Sequence, residues 1–386
     1  MADWNRTFFN RCMVACILAA AAWVGPAFGG PFTAGNLVVV RVGDGSTALS
    51  TNAAAVSLLE YTRSGTLLQT ISLASTGTSA LTLVGTTTTE GILQGSSNGQ
   101  YLLLAGYRKN AGQADPSVDA STTTNRVVGR VDLNANVDTS TALTDAYSSK
   151  SVRGASSDDG TRFWTSGEPT NPSGGLRYAG SLGATTSTLL GSYSNNLRQV
   201  SVLGGNLFTS SGTGTPGRSV FHVGSGLPTS GSPTFTSSFT PDPTSQYQSF
   251  YFTNLGSGNN WDSTGFDTLY TAGTNSNALF KYSFNGTSWV LNNTVSLAGI
   301  MDVTGSTQGT TVTLFVTTGT DLESFTDTAG YNANLNGTFT SLATAGSNYV
   351  FRGVAAVPEP GPLLLSGLTG LAMAVWGRRN RSRVST

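Results

Sequence analysis

Three stretches of this chain have the residue types and spacing of known catalytic or nucleotide-binding motifs. Residues 95–99 read GSSNG and fit G-x-S-x-G, but that motif needs a helix after the serine, and the strand-like run YLLL follows here. Residues 212–217 read GTGTPG and fit G-x-G-x-x-G, but strand-like runs on both sides leave no helix N-terminus to bind a phosphate. The one histidine, His222, lies in the alternating run SVFHV. We therefore predict a hairpin turn, a loop and a structural strand position, with no catalytic or cofactor-binding residue.

Carboxylates and one tryptophan are candidates for metal binding, glycoside hydrolysis or glycan contact. Residues 158–160 read DDG but lack the alternate acidic spacing of a calcium loop, which indicates a turn. A zinc site is excluded because both cysteines, Cys12 and Cys16, lie in the N-terminal segment and only one histidine is present. Trp261 lies in the polar loop 256–264, where an exposed indole could contact a glycan by stacking on a sugar ring. Glycoside hydrolysis needs two carboxyl groups at a defined separation, and four candidates come from separate parts of the chain: Glu60, Glu90, Glu168 and Glu323.

The composition favours a β-protein without a nucleic-acid partner. Charged residues make up 10% of the chain, well below the ~25% typical of soluble domains. Without the two terminal signals described below, 14 basic and 18 acidic residues remain, so no basic surface for nucleic acid is expected. The apolar residues occur in short alternating runs, which predict strands rather than disorder.

The strand-like runs repeat along the chain. Four copies contain two strands around a glycine turn, as in ILQGSSNGQYLLLAG at residues 92–106. Two further copies, residues 35–43 and 267–273, contain only the second strand. A pair of alternating runs follows each copy, so each unit offers four antiparallel strands, as in a propeller blade. Each copy closes with a glycine: Gly43, Gly106, Gly167, Gly212, Gly273 and Gly319.

The end of the repeat region supplies what its start lacks. Residues 349–355 read YVFRGVA, and their FRG is similar to the VRG that begins the copy at residues 152–167. We predict that this last strand completes the first blade and closes the ring, which removes the exposed edges of an open sheet. The expected fold is all-β, a β-propeller of six blades with four antiparallel strands each over residues 30–356. A long sandwich or a stack of two β-domains is the alternative.

The last thirty residues contain a polar motif, an apolar segment and an arginine cluster. Val357, Pro358, Glu359 and Pro360 form the motif, and the two prolines hold it extended, which suits presentation to a protease. The apolar segment at about 361–377 is near the ~17–25 residues that a single transmembrane helix needs. The arginines that follow are predicted to stay cytoplasmic by the positive-inside rule: Arg378, Arg379, Arg381 and Arg383.

These three features, in this order, resemble the PEP-CTERM sorting signal. The resemblance implies a Gram-negative bacterium, handling by the membrane protease exosortase, and association with exopolysaccharide in a biofilm or extracellular matrix. It covers only residues 357–386, so it implies a destination and not a ligand. A plain C-terminal anchor that is never processed is the alternative.

The N-terminus resembles a secretory signal peptide. Two arginines precede the apolar run 12–24, and Ala27 and Gly29 place small residues at the −3 and −1 positions of a signal peptidase site. The predicted organisation is therefore a signal peptide, a repeat domain and a sorting segment: residues 1–29, 30–356 and 357–386.

Two functions from different classes fit this organisation. The first is a non-enzymatic exported protein that passes through an inner-membrane intermediate and reaches the cell surface or matrix, without a cofactor or metal. The second is an extracellular propeller enzyme or lectin that acts on glycans. The single histidine weakens the second, so we favour the first.

Overall fold

The alternating runs form antiparallel strands in a computed structural model, which describes residues 29–239, 245–261 and 264–358. No helix in these ranges is long and apolar enough to cross a membrane, and the apolar segment at about 361–377 lies outside them. A short 3₁₀ turn covers Gly77–Ser79. The strands of the described residues, in chain order, are β1 (Leu37–Val42), β2 (Ala53–Ala54), β3 (Val56–Tyr61), β4 (Leu67–Ser72), β5 (Leu83–Val84), β6 (Leu93–Gly95), β7 (Tyr101–Tyr107), β8 (Arg126–Asp132), β9 (Val137–Leu143), β10 (Val152–Ser156), β11 (Phe163–Gly167), β12 (Leu176–Ala179), β13 (Thr188–Leu190), β14 (Leu197–Leu203), β15 (Asn206–Ser211), β16 (Ser219–Val223), β17 (Phe235–Ser237), β18 (Tyr247–Thr253), β19 (Thr268–Gly273), β20 (Ala278–Phe284), β21 (Trp289–Ser296), β22 (Asp302–Gln308), β23 (Thr311–Thr317), β24 (Asp321–Asp327), β25 (Phe339–Thr344) and β26 (Val350–Ala356).

Across the described ranges, 24 strands pair into six four-stranded antiparallel sheets, which are the blades of a propeller, and β2 and β5 form a separate two-stranded sheet. The strand order from the axis outward is β26-β1-β3-β4 in blade I, β6-β7-β8-β9 in blade II and β10-β11-β12-β13 in blade III. It is β14-β15-β16-β17 in blade IV, β18-β19-β20-β21 in blade V and β22-β23-β24-β25 in blade VI. The inner strands contact one another in a ring. The predicted all-β, six-bladed propeller is confirmed, and the sandwich alternative is wrong.

The last strand closes the ring as predicted. β26 pairs antiparallel with β1, with Leu37 opposite Ala356 and Val39 opposite Val354. β1 pairs on its other side with β3. Blade I is therefore built from both ends of the repeat region, and β1 has no open edge.

Blade V corrects one detail of the repeat pattern. The copy at residues 267–273 was expected to have only its second strand, but β18 pairs with β19 over Ser249 to Thr253 and forms the inner strand of this blade. The pattern was missed because residues 254–267 separate the two strands, where the other copies have a short glycine turn.

Buried side chains fill the spaces between neighbouring blades. In blade I, Val38 and Val40 pack towards blade II, whereas Leu37 and Val39 pack towards blade VI. Both faces of a strand are therefore buried, and the β1 sequence LVVVRV is almost continuously apolar for this reason. Equivalent clusters lie between the other successive blades among the described residues.

Two glycines allow the inner strands of successive blades to approach closely. A methyl group added at Gly353 would overlap the carbonyl oxygen of Gly91 and the amide of Leu93 in blade II. At Gly154 it would lie 2.8 Å from the carbonyl oxygen of Arg198 in blade IV. These contacts are with backbone atoms, so a side chain there would have to move the next blade.

We expect Gly353→Ala to destabilise the ring. The added methyl group must displace the backbone of blade II, and overpacking of this kind costs about 1–3 kcal/mol. Gly95→Ala is the matched control, because Gly95 also lies on an inner strand and its new methyl group would meet only the Pro358 Cγ, at 3.9 Å. Urea unfolding of the full chain measures the difference, and equal midpoints for the two variants would contradict the close packing of blades I and II.

Candidate functional site

The inner strands of four blades carry a β-bulge near their first residues. The pairing register shifts just after four positions: Phe351, Val152, Leu197 and Tyr247. A bulge turns a side chain away from its regular alternation. A long polar residue follows each position: Arg352, Arg153, Arg198 and Gln248. The bulges thus place three arginines at equivalent sites near the same end of the ring.

These three arginines, which we call the axial arginine cluster, are almost completely buried. The exposed fraction is 3% for Arg153, 5% for Arg198 and 3% for Arg352. A buried guanidinium group needs an anionic or strongly polar partner, because an unpaired buried charge is costly. The three side chains differ in how well that need is met.

Arg153 is the best satisfied of the three. Its Nη2 donates to Glu168 Oε1 at 2.7 Å, and its Nη1 donates to Asn196 Oδ1 at 2.5 Å and to the carbonyl oxygen of Leu197 at 3.0 Å. Glu168 belongs to the same blade, whereas Asn196 and Leu197 belong to the next one. This side chain therefore joins blades III and IV.

Arg198 and Arg352 have weaker partners. Arg198 reaches only the amide oxygens of Asn196 at 3.5 Å and Gln246 at 3.4 Å. Arg352 donates to the carbonyl oxygen of Gly85 at 3.0 Å and contacts the Met301 sulfur at 3.5 Å. The Nε atoms of all three cluster arginines are buried without a hydrogen-bond partner.

The surroundings lower the pKa values of these groups. Burial lowers the pKa of Arg198 to about 9, and the positive charge of Arg153 acts in the same direction. Burial also lowers the pKa of Arg352 to about 10 and lowers that of Arg153. The cluster is still cationic at neutral pH.

Two carboxyl groups are buried on the inner side of the ring: Glu90, which interacts electrostatically with Arg153 and Arg352, and Asp302, at the start of β22. Burial raises the pKa of Glu90 to about 7 and that of Asp302 to about 7. Glu90 accepts hydrogen bonds from the Tyr107 hydroxyl at 2.5 Å and the Val84 amide at 3.1 Å. Burial therefore favours the neutral form of both groups, so Glu90 offsets less of the arginine charge than an ordinary carboxylate would.

Polar side chains also fill part of the axis. The Gln199 amide of blade IV contacts Gln94 Oε1 of blade II at 3.2 Å and bonds to both the amide and the carbonyl of Phe250 in blade V. Ser201 donates to the same Gln94 oxygen at 2.5 Å. These bonds connect inner strands across the ring.

The expectation of an exposed tryptophan at position 261 is wrong. Trp261 is 5% exposed, and its ring lies 5.6 Å from Phe252, 5.6 Å from Trp289 and 5.7 Å from Phe208 between ring centres. The sequence places it in a polar loop, but that loop folds over the apolar space between blades IV and V. Burial leaves little of the indole for stacking on a sugar. His222 is stacked on Phe208 in the same cluster.

The four candidate acids are only partly brought together. Glu60 in blade I is bonded to the Thr33 amide at 2.7 Å and to two side-chain amides, and Glu323 lies on β24 of blade VI. Glu90 and Glu168 both interact electrostatically with Arg153. They are the two acids that adjoin the cluster.

The motif-like stretches are turns and loops, as predicted. Ser96 Oγ accepts the amides of Gln100 and Tyr101 in the hairpin between β6 and β7. Residues 212–217 join β15 and β16. Asp158 pairs with Arg162 in the turn after β10. Among the described residues no group of three or more His, Cys, Asp or Glu side chains could hold a metal ion.

The first residue of the C-terminal motif packs onto the propeller. Val357 is 2% exposed, and its backbone bonds to Gly35 at 3.0 Å and Asn36 at 2.8 Å continue the pairing of β26. Pro358 lies against the turn that contains Gly99. The other residues of the predicted sorting, orientation and cleavage sites lie outside the described ranges: Ala27, Glu359, Pro360, Arg378, Arg379, Arg381 and Arg383.

Sequence reasoning missed the axial arginine cluster. The signal was present in the shared FRG and VRG of residues 351–353 and 152–154, but there it was used only to argue closure of the ring. That the arginines gather at one end follows from the bulges, which the sequence pattern does not reveal.

Comparison with known proteins shows the fold and nothing finer. No family model and no curated protein matches the chain. A solved nidogen/laminin complex is similar over 84% of this chain and 99% of that chain, at 12% identity and a TM-score of 0.50. A proposed 6-phosphogluconolactonase from Bacteroides fragilis NCTC 9343 is similar over 79% of this chain and 82% of that chain, at 12% identity and a TM-score of 0.46. A periplasmic gluconolactonase from Pseudomonas aeruginosa is similar over 78% of this chain and 82% of that chain, at 12% identity and a TM-score of 0.46.

The two buried carboxyl groups make stability depend on pH. Their folded-state pKa values of about 7 exceed the ordinary values of 3.8 for Asp302 and 4.5 for Glu90. Between those values the folded state binds more protons than the unfolded state, so the free energy of unfolding falls as the pH rises. We expect a higher urea midpoint near pH 5 than near pH 7.5. Asp302→Asn and Glu90→Gln should each flatten this slope, whatever their absolute stability.

The control for this experiment is Asp44→Asn. Asp44 is exposed and its hydrogen bonds to Ser46 lower its pKa, so it titrates below this pH window and its loss should leave the slope unchanged. Slopes for the Asp302 and Glu90 variants that parallel the wild type would contradict the raised pKa values.

Proposed function

We propose that this protein is a non-enzymatic exported β-propeller, displayed at the cell surface or in the extracellular matrix in association with exopolysaccharide. Signal peptidase removes residues 1–29, and exosortase acts at Val357 to Pro360 while the apolar segment holds the chain in the inner membrane. The observation that carries the proposal is the path of the chain at the end of the ring. β26 closes blade I and leads directly into Val357 and Pro358, so the strand that completes the fold is continuous with the predicted sorting motif, whose first residue is packed on the propeller.

The geometry of β26 supports display of one face of the propeller. Arg352 lies near the start of this strand and Val357 just beyond its end, about 17 Å away at ~3.3 Å per residue. The predicted tether therefore leaves the propeller at the end opposite the axial arginine cluster. On this proposal the cluster faces away from the membrane.

A glycan-acting enzyme or lectin is the second candidate. It is favoured by the position of Glu90 and Glu168, which flank Arg153, and by the raised pKa of Glu90. Against hydrolysis, Glu90 is 2% exposed and already bonded to Tyr107 and Val84. A hydrolysis screen on glycans separates the two, because turnover that is lost in Glu168→Gln would favour the enzyme.

Processing at the motif can be followed with an epitope placed after Thr386. In a host that carries exosortase, we expect the wild-type chain to lose the epitope and to reach the surface. Pro358→Ala with Pro360→Ala should leave membrane insertion intact but slow the loss of the epitope, because the motif is no longer held extended. Pro233→Ala, in a surface loop, is the matched control.

The result that would overturn sorting is retention of the epitope by the wild-type chain. If the double proline variant were processed at the wild-type rate, the C-terminal segment would be better described as an ordinary membrane anchor.

A further inference from the structure

We propose that the axial arginine cluster is a binding site for the oxyanion of an acidic sugar, either a carboxylate or a phosphate. This inference deepens the proposed function, on which it rests for the nature of the polymer, by assigning the chemical class of sugar that the propeller takes. The binding step itself concerns only Arg153, Arg198 and Arg352 and the polar residues above them.

The first support is the charge of the cluster. The positive charge of Arg153 acts on Arg198, Arg153 forms an ion pair with Glu168, and Glu90 interacts electrostatically with both Arg153 and Arg352. Neither Arg198 nor Arg352 has a carboxylate among its hydrogen-bond partners. A group with a negative charge would be stabilised strongly here, because water that would screen the attraction is largely excluded.

The second support is the set of donors without partners. Each arginine has five N–H donors in a planar fork, which matches the oxygens of a carboxylate or phosphate. The Nε donors of Arg153, Arg198 and Arg352 are buried and unpaired. A buried donor without a partner is unfavourable, so a ligand that accepts these bonds would stabilise the folded protein.

The third support is access from solvent. The side chains above the cluster are half-buried: Glu168, Asn196 and Gln246. Gln246 contacts Arg198 only through a bond of 3.4 Å, whereas Asn196 is also held by Arg153 at 2.5 Å and by Thr213 at 2.6 Å. The same amides can both donate to and accept from sugar hydroxyls. These half-buried side chains are chemically suited to contact a sugar.

A purely structural network would be arranged differently. Arg126 in blade II is also buried, at 1% exposed, and its Nε is also unpaired. Its two Nη atoms, however, donate to the carbonyl oxygens of Thr124, Ser117, Asp119 and Lys150. Arg198 has no comparable set of acceptors. A role in binding a ligand therefore explains the buried position of Arg198 better than a role in stabilising the fold does.

The test uses the full chain in mild detergent, with D-glucuronate, glucose 6-phosphate, inorganic phosphate and glucose as probes. We expect the two acidic sugars to raise Tm in a concentration-dependent way and glucose to have no effect. Stabilisation by inorganic phosphate that depends on Arg198 also supports an oxyanion site. Equal stabilisation by glucose would overturn the proposal.

The decisive variant is Arg198→Met. It should weaken glucuronate binding by about tenfold or more, since a charge-assisted bond is lost, while the ligand-free Tm stays the same or rises. Arg198→Lys keeps the charge but loses the fork, and it should show a smaller loss of affinity in a folded protein. Arg130→Met is the matched control, because Arg130 contacts Gly160 at the opposite end of the ring.

Two results would contradict the site. One is a large fall in the ligand-free Tm of both Arg198 variants with unchanged binding by whichever variant folds, which is the behaviour of a structural arginine. The other is equal weakening by Arg130→Met. Because binding is measured on purified protein, failure here leaves the proposed sorting standing, and failure of sorting leaves the binding result standing.

Discussion

The pairing of β26 with β1 is the constraint on which the rest of the propeller depends. An unpaired β1 would expose a row of backbone donors and acceptors beside the axis, and exposed edges of this kind promote pairing between chains. The same strand contributes Phe351 and Val354 to the buried cluster between blades VI and I. Hydrogen bonding within blade I and apolar packing between blades I and VI are therefore made together. Closure of the ring therefore needs both the hydrogen bonds of blade I and the apolar contacts between blades I and VI.

In the short sequence Arg-Gly of the inner strands, the glycine allows close packing between blades and the arginine contributes a buried positive charge. Gly353 and Gly154 let their strands approach the next blade without a clash. The register shift at the same point turns Arg352 and Arg153 towards the end of the ring. In blade IV the corresponding residues are Arg198 and Gln199, and there the glutamine side chain enters the axis and bonds to blade V. The bulge is thus the feature that converts a repeated strand into a polar axial site.

The sequence was sufficient for the architecture because the architecture follows from local periodicity. Alternating apolar runs, closing glycines and the match of residues 349–355 to the repeat predict the blades and their closure. They fail for β18, where a long connection replaces the glycine turn, and for Trp261, whose polar neighbours in the chain conceal an apolar environment in space. The axial arginine cluster was not predictable in the same way, because residues 153, 198 and 352 come to the same end of the ring only after six sheets close.

Two buried sets of charges in this molecule show what a structural network needs. Lys281 is fully buried, but its ammonium contacts Asp327 at 2.7 Å and the Gly330 carbonyl oxygen at 2.6 Å, and the Tyr270 hydroxyl donates to the same carboxylate. Charge and hydrogen bonds are balanced there, between blades V and VI, as a buried pair requires. The axial arginine cluster has an excess of positive charge and three unpaired Nε donors. The same chain that balances one buried cation leaves Arg198 and Arg352 without a carboxylate among their hydrogen-bond partners. The missing acceptors are best supplied from outside the protein.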